Sequence, residues 1–230
     1  MNWRERICSL GEVQLKSYNR LMAVAPFVIF SSLASAQVAF NDFSSDTYSA
    51  TFGYNPLTGW TIGGASSAVG IFESANQFVS GATGTVSDLI LATGLVSGTG
   101  NLDVSLVSDN SNTVGGTVLE TWVTPESGSF SSYNPPTVLT GDGTASLVSG
   151  TTYWVMITTD GEANSNVWAA WDFNDAGVNG LDAYNTGSGW NYQAASLGAF
   201  KIDVTPTPEP ASMAALALGI AGLVARKRRK

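Results

Sequence analysis

Between residues 37 and 205 the chain consists of short runs in which apolar and polar residues alternate, separated by clusters of Gly, Asn, Asp and Ser. In residues 100–109, Leu102, Val104 and Leu106 alternate with polar side chains, which is typical of a strand with one buried face. Other such runs cover residues 86–92, 117–123 and 151–159. No stretch of this body shows a 3.6-residue apolar stripe with helix caps. Many short strands separated by turn clusters predict an all-β fold, an antiparallel β-sandwich.

The run from residue 151 to residue 159 is apolar on both of its sides. Tyr153, Val155 and Ile157 share one face of an extended chain, and Trp154 and Met156 share the other. We therefore expect this strand to be covered on both faces and Trp154 to belong to the core. A body of about 170 residues is large enough for one domain with its own core, and we find no internal repeat and no second domain boundary in it.

The first 36 residues are typical of a secretory signal peptide. A segment with four bases precedes an apolar run at residues 21–30, and the segment ends in an Ala-x-Ala pattern at Ala34 and Ala36. We expect signal peptidase to cleave between Ala36 and Gln37. The alternative, a buried N-terminal helix, fits the Ala-x-Ala ending less well. Cleavage removes Cys8, the single cysteine of the chain, so the mature protein has no disulfide and depends on packing alone.

The last 25 residues have three parts. Residues 206–210 read Pro-Thr-Pro-Glu-Pro, residues 211–225 carry no charge, and residues 226–230 are all basic. A helix of fifteen residues rises about 22 Å, less than the roughly 30 Å of a bilayer's hydrocarbon core, so the sequence predicts a short transmembrane helix. The terminal bases favour the cytoplasmic side. An ordinary tail anchor with an incidental proline pair is the alternative.

This C-terminal arrangement resembles the PEP-CTERM sorting signal of Gram-negative bacteria that produce exopolysaccharide. The residues that carry the resemblance are Pro208, Glu209, Pro210, Arg226, Lys227, Arg228, Arg229 and Lys230. In that family a membrane-embedded exosortase recognises the motif and removes the tail. The resemblance implies export across the inner membrane, transient anchoring by the C-terminal helix, and a final location at the cell surface or in the extracellular matrix, where the protein is either released or covalently attached.

The body resembles, less specifically, the choice-of-anchor domains that precede such tails, the R type in particular. The segments that carry this resemblance are residues 59–64, 102–106, 150–154, 168–171 and 197–200. It implies a jelly-roll-like antiparallel β-sandwich, in agreement with the alternation described above, and no activity. We therefore divide the chain into a signal peptide at 1–36, one β-sandwich domain at 37–205 and a sorting signal at 206–230.

The charge of the body excludes several functions. Residues 37–205 hold fifteen acids and one base, Lys201, a net charge of −14, and the chain has no histidine. Without imidazole, Ser-His-Asp and Cys-His catalysis cannot operate, and zinc or copper sites of His and Cys cannot form. A polyanionic body repels phosphate backbones, so we expect no nucleic-acid partner. The same charge keeps the body soluble.

Aromatic residues of the body are candidates for stacking on sugar rings. Trp168 and Trp171 are three residues apart, so a strand directs them to opposite sides and at most one is buried by default. Together with Trp190 and Tyr192, which lie in a Gly- and Ser-rich stretch, they are the predicted sugar-stacking residues. Core packing is the alternative for each of them, because large aromatic side chains are the main core material of a sandwich without disulfides.

Oxygen-rich clusters suggest two further sites. Residues 160–166 and 172–175 carry Asp, Glu and Asn side chains suited to a structural calcium ion, although Asn and Asp are also the ordinary residues of turns. A glycosidase needs only two carboxylates about 5 to 9.5 Å apart, and Asp172 with Glu162 or with Asp182 is the pair to consider. Because the body has no Arg or His to tune a carboxylate, we expect no enzyme.

These observations lead to an exported, exosortase-processed protein with a structural or adhesive role in the extracellular matrix or at the cell surface. Its expected processing partners are signal peptidase and exosortase, and extracellular polysaccharide is the candidate ligand. A non-catalytic carbohydrate-binding module of the exopolysaccharide matrix is the first alternative. A carboxylate-dependent glycosidase is the second. No cofactor is expected, apart from the calcium alternative.

Overall fold

The computed structural model describes residues 35–44, 53–126, 128–159 and 165–207, together with Gly219. In chain order the strands of these segments are β1 (Gln37–Asn41), β2 (Tyr54–Gly63), β3 (Glu73–Val79), β4 (Gly84–Leu91), β5 (Thr93–Ser97), β6 (Asn101–Asp109), β7 (Val114–Pro125), β8 (Thr137–Thr140), β9 (Ser146–Leu147), β10 (Thr152–Thr159), β11 (Trp168–Asn174), β12 (Asn179–Asn185), β13 (Trp190–Ser196) and β14 (Phe200–Pro206).

These strands form three sheets, and every strand pair within them is antiparallel. A five-stranded sheet has the order β1-β14-β4-β8, with β9 also paired to β4. A six-stranded sheet has the order β13-β12-β3-β10-β6-β7, and a three-stranded sheet has the order β2-β11-β5. The predicted all-β, sandwich-like fold is therefore confirmed. Within the described residues, the structure contains no helix of the length and hydropathy that a membrane span requires.

The four strands that the alternation predicts are present as β4, β6, β7 and β10. On β6, Leu102, Val104 and Leu106 are buried in the main core, as expected. The strand β10 lies between β3 and β6 and is covered on both faces, and its Trp154 is fully buried. Its Val155 belongs to the main core, whereas Trp154 belongs to a second, smaller cluster on the opposite face of the sheet. We call these the inner and the outer face of the six-stranded sheet.

One hydrophobic core receives side chains from all three sheets. Val86, Leu89 and Leu91 enter it from β4 of the five-stranded sheet, and the inner face of the six-stranded sheet supplies residues of β3, β6 and β10. The three-stranded sheet contributes Ile62 and the fully buried Trp171. The three sheets therefore enclose a common interior rather than separate ones.

The chain passes from one sheet to another at Ala92, the single residue between β4 and β5. Its N–H donates to the carbonyl of Ala199 at 3.1 Å, and its carbonyl accepts from the N–H of Asp172 at 3.0 Å. The N–H of Ala199 in turn donates to the carbonyl of Asp172 at 2.7 Å. This ring of three backbone hydrogen bonds forms the corner between the five-stranded and three-stranded sheets, as in sandwiches whose strands change sheets at a bend.

We expect Gly198→Ala to destabilise the fold by about 1–3 kcal/mol, because an added methyl group overpacks a closed core. A Cβ at Gly198 would lie 2.5 Å from ring atoms of the fully buried Trp171. Gly115→Ala is the matched control, since its Cβ would meet nothing closer than 3.7 Å. Urea unfolding of the two variants measures the difference, and equal midpoints would contradict this packing.

Candidate functional site

A cavity of about 370 Å³ lies between β2 and the β12–β13 edge of the six-stranded sheet, within the size range of small-molecule sites. It is lined by residues of β2, of β3 and the position just before it, of β12 and of β13, namely Gly59, Trp60, Thr61, Phe72, Ser74, Tyr184 and Gln193. Three of these side chains are aromatic, and five carry a hydroxyl group, an amide group or the indole N–H.

Strand register explains why these side chains meet. Tyr184 of β12 is paired with Ser74 of β3, and Asp182 is paired with both Asn76 of β3 and Gln193 of β13. Directly paired residues of antiparallel strands share a face, so all five side chains lie on the inner face of the sheet. Here β12 and β13 extend beyond the main core, and β2 covers this part of the sheet only partly, which leaves the cavity.

Asp182 is buried behind the polar side of the cavity and is hydrogen-bonded to the Gln193 side chain that lines it. Its two carboxylate oxygens accept hydrogen bonds from the amide of Asn76 at 2.9 Å and from the amide of Gln193 at 3.0 Å. Burial raises the pKa of Asp182 to about 6, while the two amide donors lower it. Because both oxygens are already bonded, Asp182 orients the Gln193 amide.

Among the residues that line the cavity, Ser74 has a buried polar group without a hydrogen-bond partner. Its side chain is 1% exposed, it lines the cavity, and its Oγ has no hydrogen-bond partner. A buried hydroxyl without a partner loses its hydration and gains nothing in return. The cavity therefore offers a ligand one hydroxyl that the protein itself leaves unsatisfied.

The aromatic wall is held in place by contacts behind it. The indole N–H of Trp60 donates to the carbonyl of Ser196 at 3.0 Å, and its ring meets that of Phe173 edge-on at a centroid distance of 5.1 Å. Trp60, Phe72 and Tyr184 are all half-buried, so part of each ring remains accessible. The sequence gives no spacing signal for this group, because its members come from strands that are far apart in the chain.

The four predicted sugar-stacking residues do not form one site. The prediction for Trp171 is wrong, because its side chain is fully buried and its indole N–H donates to the carbonyl of Ala199 at 3.1 Å. Trp168 is half-buried on the three-stranded sheet. As the spacing predicts, only one member of this pair is fully buried.

Trp190 and Tyr192 lie on β13, on the outer face of the six-stranded sheet. Trp190 is half-buried against the cluster around Trp154. Tyr192 is 38% exposed, its ring meets that of Trp154 edge-on at 6.1 Å, and its hydroxyl accepts from the N–H of Val114 at 3.1 Å. Both therefore cover Trp154, and sugar stacking by Trp168, Trp190 or Tyr192 stays a prediction.

The oxygen-rich segment 172–175 covers the end of β11 and the first residue after it. Asn174 donates its amide to the carbonyls of Val178 and Leu197 and accepts from the N–H of Val178, so its side chain is committed to the backbone. Asp172 is fully buried, whereas Asp175 is exposed. Residues 160–164, with Asp160 and Glu162, lie outside the described residues. In the part of the chain that is described, no three acidic, His or Cys side chains are grouped to hold a metal ion.

The carboxyl group of Asp172 is buried without a hydrogen bond to either oxygen. Burial raises its pKa to about 8, and the negative charge of Glu126 adds to this shift. Asp182, the second carboxylate of the considered glycosidase pair, lies on the six-stranded sheet and is also fully buried. A polymer cannot reach either carboxylate from solvent, so this pair cannot serve as a glycosidase site in this structure. The other pair includes Glu162, which is not described.

We expect the wild-type protein to lose stability as the pH rises from about 4 to about 8. The pKa of Asp172 is raised in the folded state, to about 8, so the folded chain holds a proton that the unfolded chain releases near pH 4. The contribution of Asp172 to the free energy of unfolding is fully present below about pH 4. It decreases between about pH 4 and pH 8, by up to roughly 5 kcal/mol. The raised pKa values of Asp42 and Asp182 act in the same direction.

Asp172→Asn tests this account, because it removes the titration and keeps the shape of the side chain. Thermal unfolding between pH 4 and pH 8 should show a flatter profile for this variant than for the wild type. Asp175→Asn, which changes an exposed carboxylate three residues further along the chain, is the control and should leave the slope unchanged. Equal slopes for wild type and Asp172→Asn would contradict the buried, unpaired carboxyl.

The predicted processing sites lie at or beyond the edges of the described body. The described chain begins at residue 35, and β1 starts at Gln37, directly after the expected cleavage; Ala34 lies outside the described residues. At the other end β14 stops at Pro206. Pro208, Glu209, Pro210 and the basic residues 226–230 lie outside the described residues, as does the predicted transmembrane helix except for Gly219.

Comparison with known proteins adds one finding. No curated protein and no solved structure matches the chain. Residues 206–230 match the family model of the PEP-CTERM protein-sorting motif, over the segment in which the sequence indicates it. The resemblance of the body to choice-of-anchor domains is not among these matches. The chain therefore carries, from the end of its last described strand, the sorting motif of extracellular proteins that are exported and directed to the surface of Gram-negative bacteria by exosortase.

Proposed function

We propose that the protein is a non-catalytic structural or adhesive component of the extracellular matrix or cell surface, which signal peptidase and exosortase release from the membrane. The observation that carries this proposal is the sorting motif at residues 206–230, which follows a β-sandwich directly. Such a motif delivers a folded body to the outside, and the body carries no imidazole or thiol for catalysis there.

The fold supports removal of the C-terminal segment after folding. β14 lies between β1 and β4 in the five-stranded sheet, and its pairing ends at Pro206 with Gly84. All the buried apolar residues of the described body precede the motif. Cleavage after residue 207 therefore removes no described strand and no described core side chain.

The first and last strands of the described body are neighbours in one sheet. Gln37, the first residue after the predicted signal peptide, is paired with Val204 on β14, two residues before Pro206. An N-terminal and a C-terminal segment that both insert in one membrane need to leave the folded body on the same side. The antiparallel pairing of β1 with β14 provides this arrangement.

The charge of the body bears on its contacts in the polymer layer. Lys201, the single base between residues 37 and 205, forms a salt bridge with Asp203 at 3.0 Å. A body with a net charge of −14 stays soluble and repels acidic polymers unless cations bridge them. A neutral polymer is not repelled by this charge, so adhesion to it needs no bridging cation.

We expect Glu209→Ala to block exosortase processing, because it removes the only charge of the Pro-Glu-Pro motif. The variant should stay in the membrane fraction with residues 211–230 still attached, as mass spectrometry of the fractionated host would show. Thr205→Ala, which changes the exposed residue just before the matched segment, is the control and should be processed normally. Normal processing of Glu209→Ala would contradict the sorting role.

A further inference from the structure

We propose that the cavity between Trp60 and Tyr184 binds a neutral sugar unit. This inference deepens the proposed function, on which it rests for the source of the ligand, by naming a ligand class and a site for adhesion.

The lining combines the two kinds of group that a sugar requires. A pyranose ring has apolar C–H faces, which pack on aromatic rings, and a rim of hydroxyl groups, which need hydrogen-bond partners. Trp60, Phe72 and Tyr184 supply partly exposed rings. Ser74 and Gln193 supply polar groups next to them. A volume of about 370 Å³ lies at the small end of ligand sites and suits one or two sugar rings.

The charge around the cavity excludes anionic ligands. No base lines it, and the only base of the body, Lys201, is bonded to Asp203. Beneath the cavity, the buried Asp182 adds negative charge once it ionises. A uronic acid, a sulfated sugar or a phosphate would meet repulsion with no compensating cation. The ligand must therefore be neutral at the atoms that enter the cavity.

Two other occupants fit the lining less well. A purely apolar ligand would cover the Ser74 hydroxyl and the Gln193 amide without bonding them, which costs binding energy. A calcium ion needs six to eight oxygen ligands, and both oxygens of Asp182 are already bonded to amides. A neutral polyhydroxyl ligand satisfies the polar groups and covers the rings at the same time.

Ser74 gives the sharpest test, because its Oγ has no partner within the protein. Ser74→Ala removes a buried polar group that is unsatisfied in the absence of ligand, so it should leave the thermal stability unchanged or raise it. If the hydroxyl bonds a sugar, the same change should weaken binding about fivefold to tenfold. A purely structural role of Ser74 cannot produce this combination.

The experiment is isothermal titration calorimetry on protein purified from its own host. The probes are neutral gluco-, galacto- and manno-oligosaccharides, with oligogalacturonate as the charged comparison. We expect at least one neutral probe to bind and oligogalacturonate not to bind. Tyr184→Ala and Gln193→Ala should weaken binding by about tenfold, since they remove ring contact and an amide. Tyr133→Ala, which changes an exposed tyrosine outside the cavity lining, is the matched control and should bind as the wild type does.

Three outcomes would overturn the inference. They are binding of no neutral probe, equal binding by the wild type and all three cavity variants, and tighter binding of oligogalacturonate than of any neutral probe. Each is separable from failure of the proposed function, because the cavity variants retain the sorting motif. If they are processed and exported normally and the wild type binds no sugar, the sorting role stands and the sugar site falls.

Discussion

The ring of Phe200 on β14 contacts an aromatic ring from each of the three sheets. Its centroid lies 4.5 Å from that of Phe40 in its own sheet, 5.6 Å from Phe78 in the six-stranded sheet and 5.6 Å from Trp171 in the three-stranded sheet. Residues 37–205 contain no cysteine, so no disulfide bond within this body holds the sheets together. Each such ring buries roughly 150–250 Å², which at about 25 cal/mol per Å² stabilises the fold by up to about 4–6 kcal/mol. The sandwich depends on this aromatic contact more than on any polar one.

The position of this core determines where the other features can lie. The six-stranded sheet is wider than the core, so its β12–β13 edge leaves Ser74 and Tyr184 facing a cavity. At the corner around Ala92, the carboxyl group of Asp172 is buried without a hydrogen-bond partner. Because β14 carries Phe200 and ends at Pro206, every described core residue precedes the part of the sorting motif that follows this strand. The strand β14 therefore both contributes to the core and connects the body to the sorting motif.

Local periodicity predicts the strands well and the site poorly. The alternation of Leu102, Val104 and Leu106 identifies β6, and the doubly apolar run identifies β10, because each pattern reflects the neighbours of a single strand. Which of Trp168 and Trp171 is buried depends on strand register, which the sequence does not encode locally. The cavity joins Ser74 to Tyr184 across more than a hundred residues, so no spacing rule finds it. The sorting motif is different, since its parts are contiguous and recognisable before any fold is known.

The intact mass of the protein recovered from host cells and from the polymer around them tests processing at both ends most directly. We expect a mass that lacks residues 1–36 and the segment after the Pro-Glu-Pro motif, and any added mass would identify a covalent attachment. A mass that still contains Arg226 to Lys230 would contradict this expectation. The protein would then be a membrane-anchored protein of the envelope, and not a component released to the matrix.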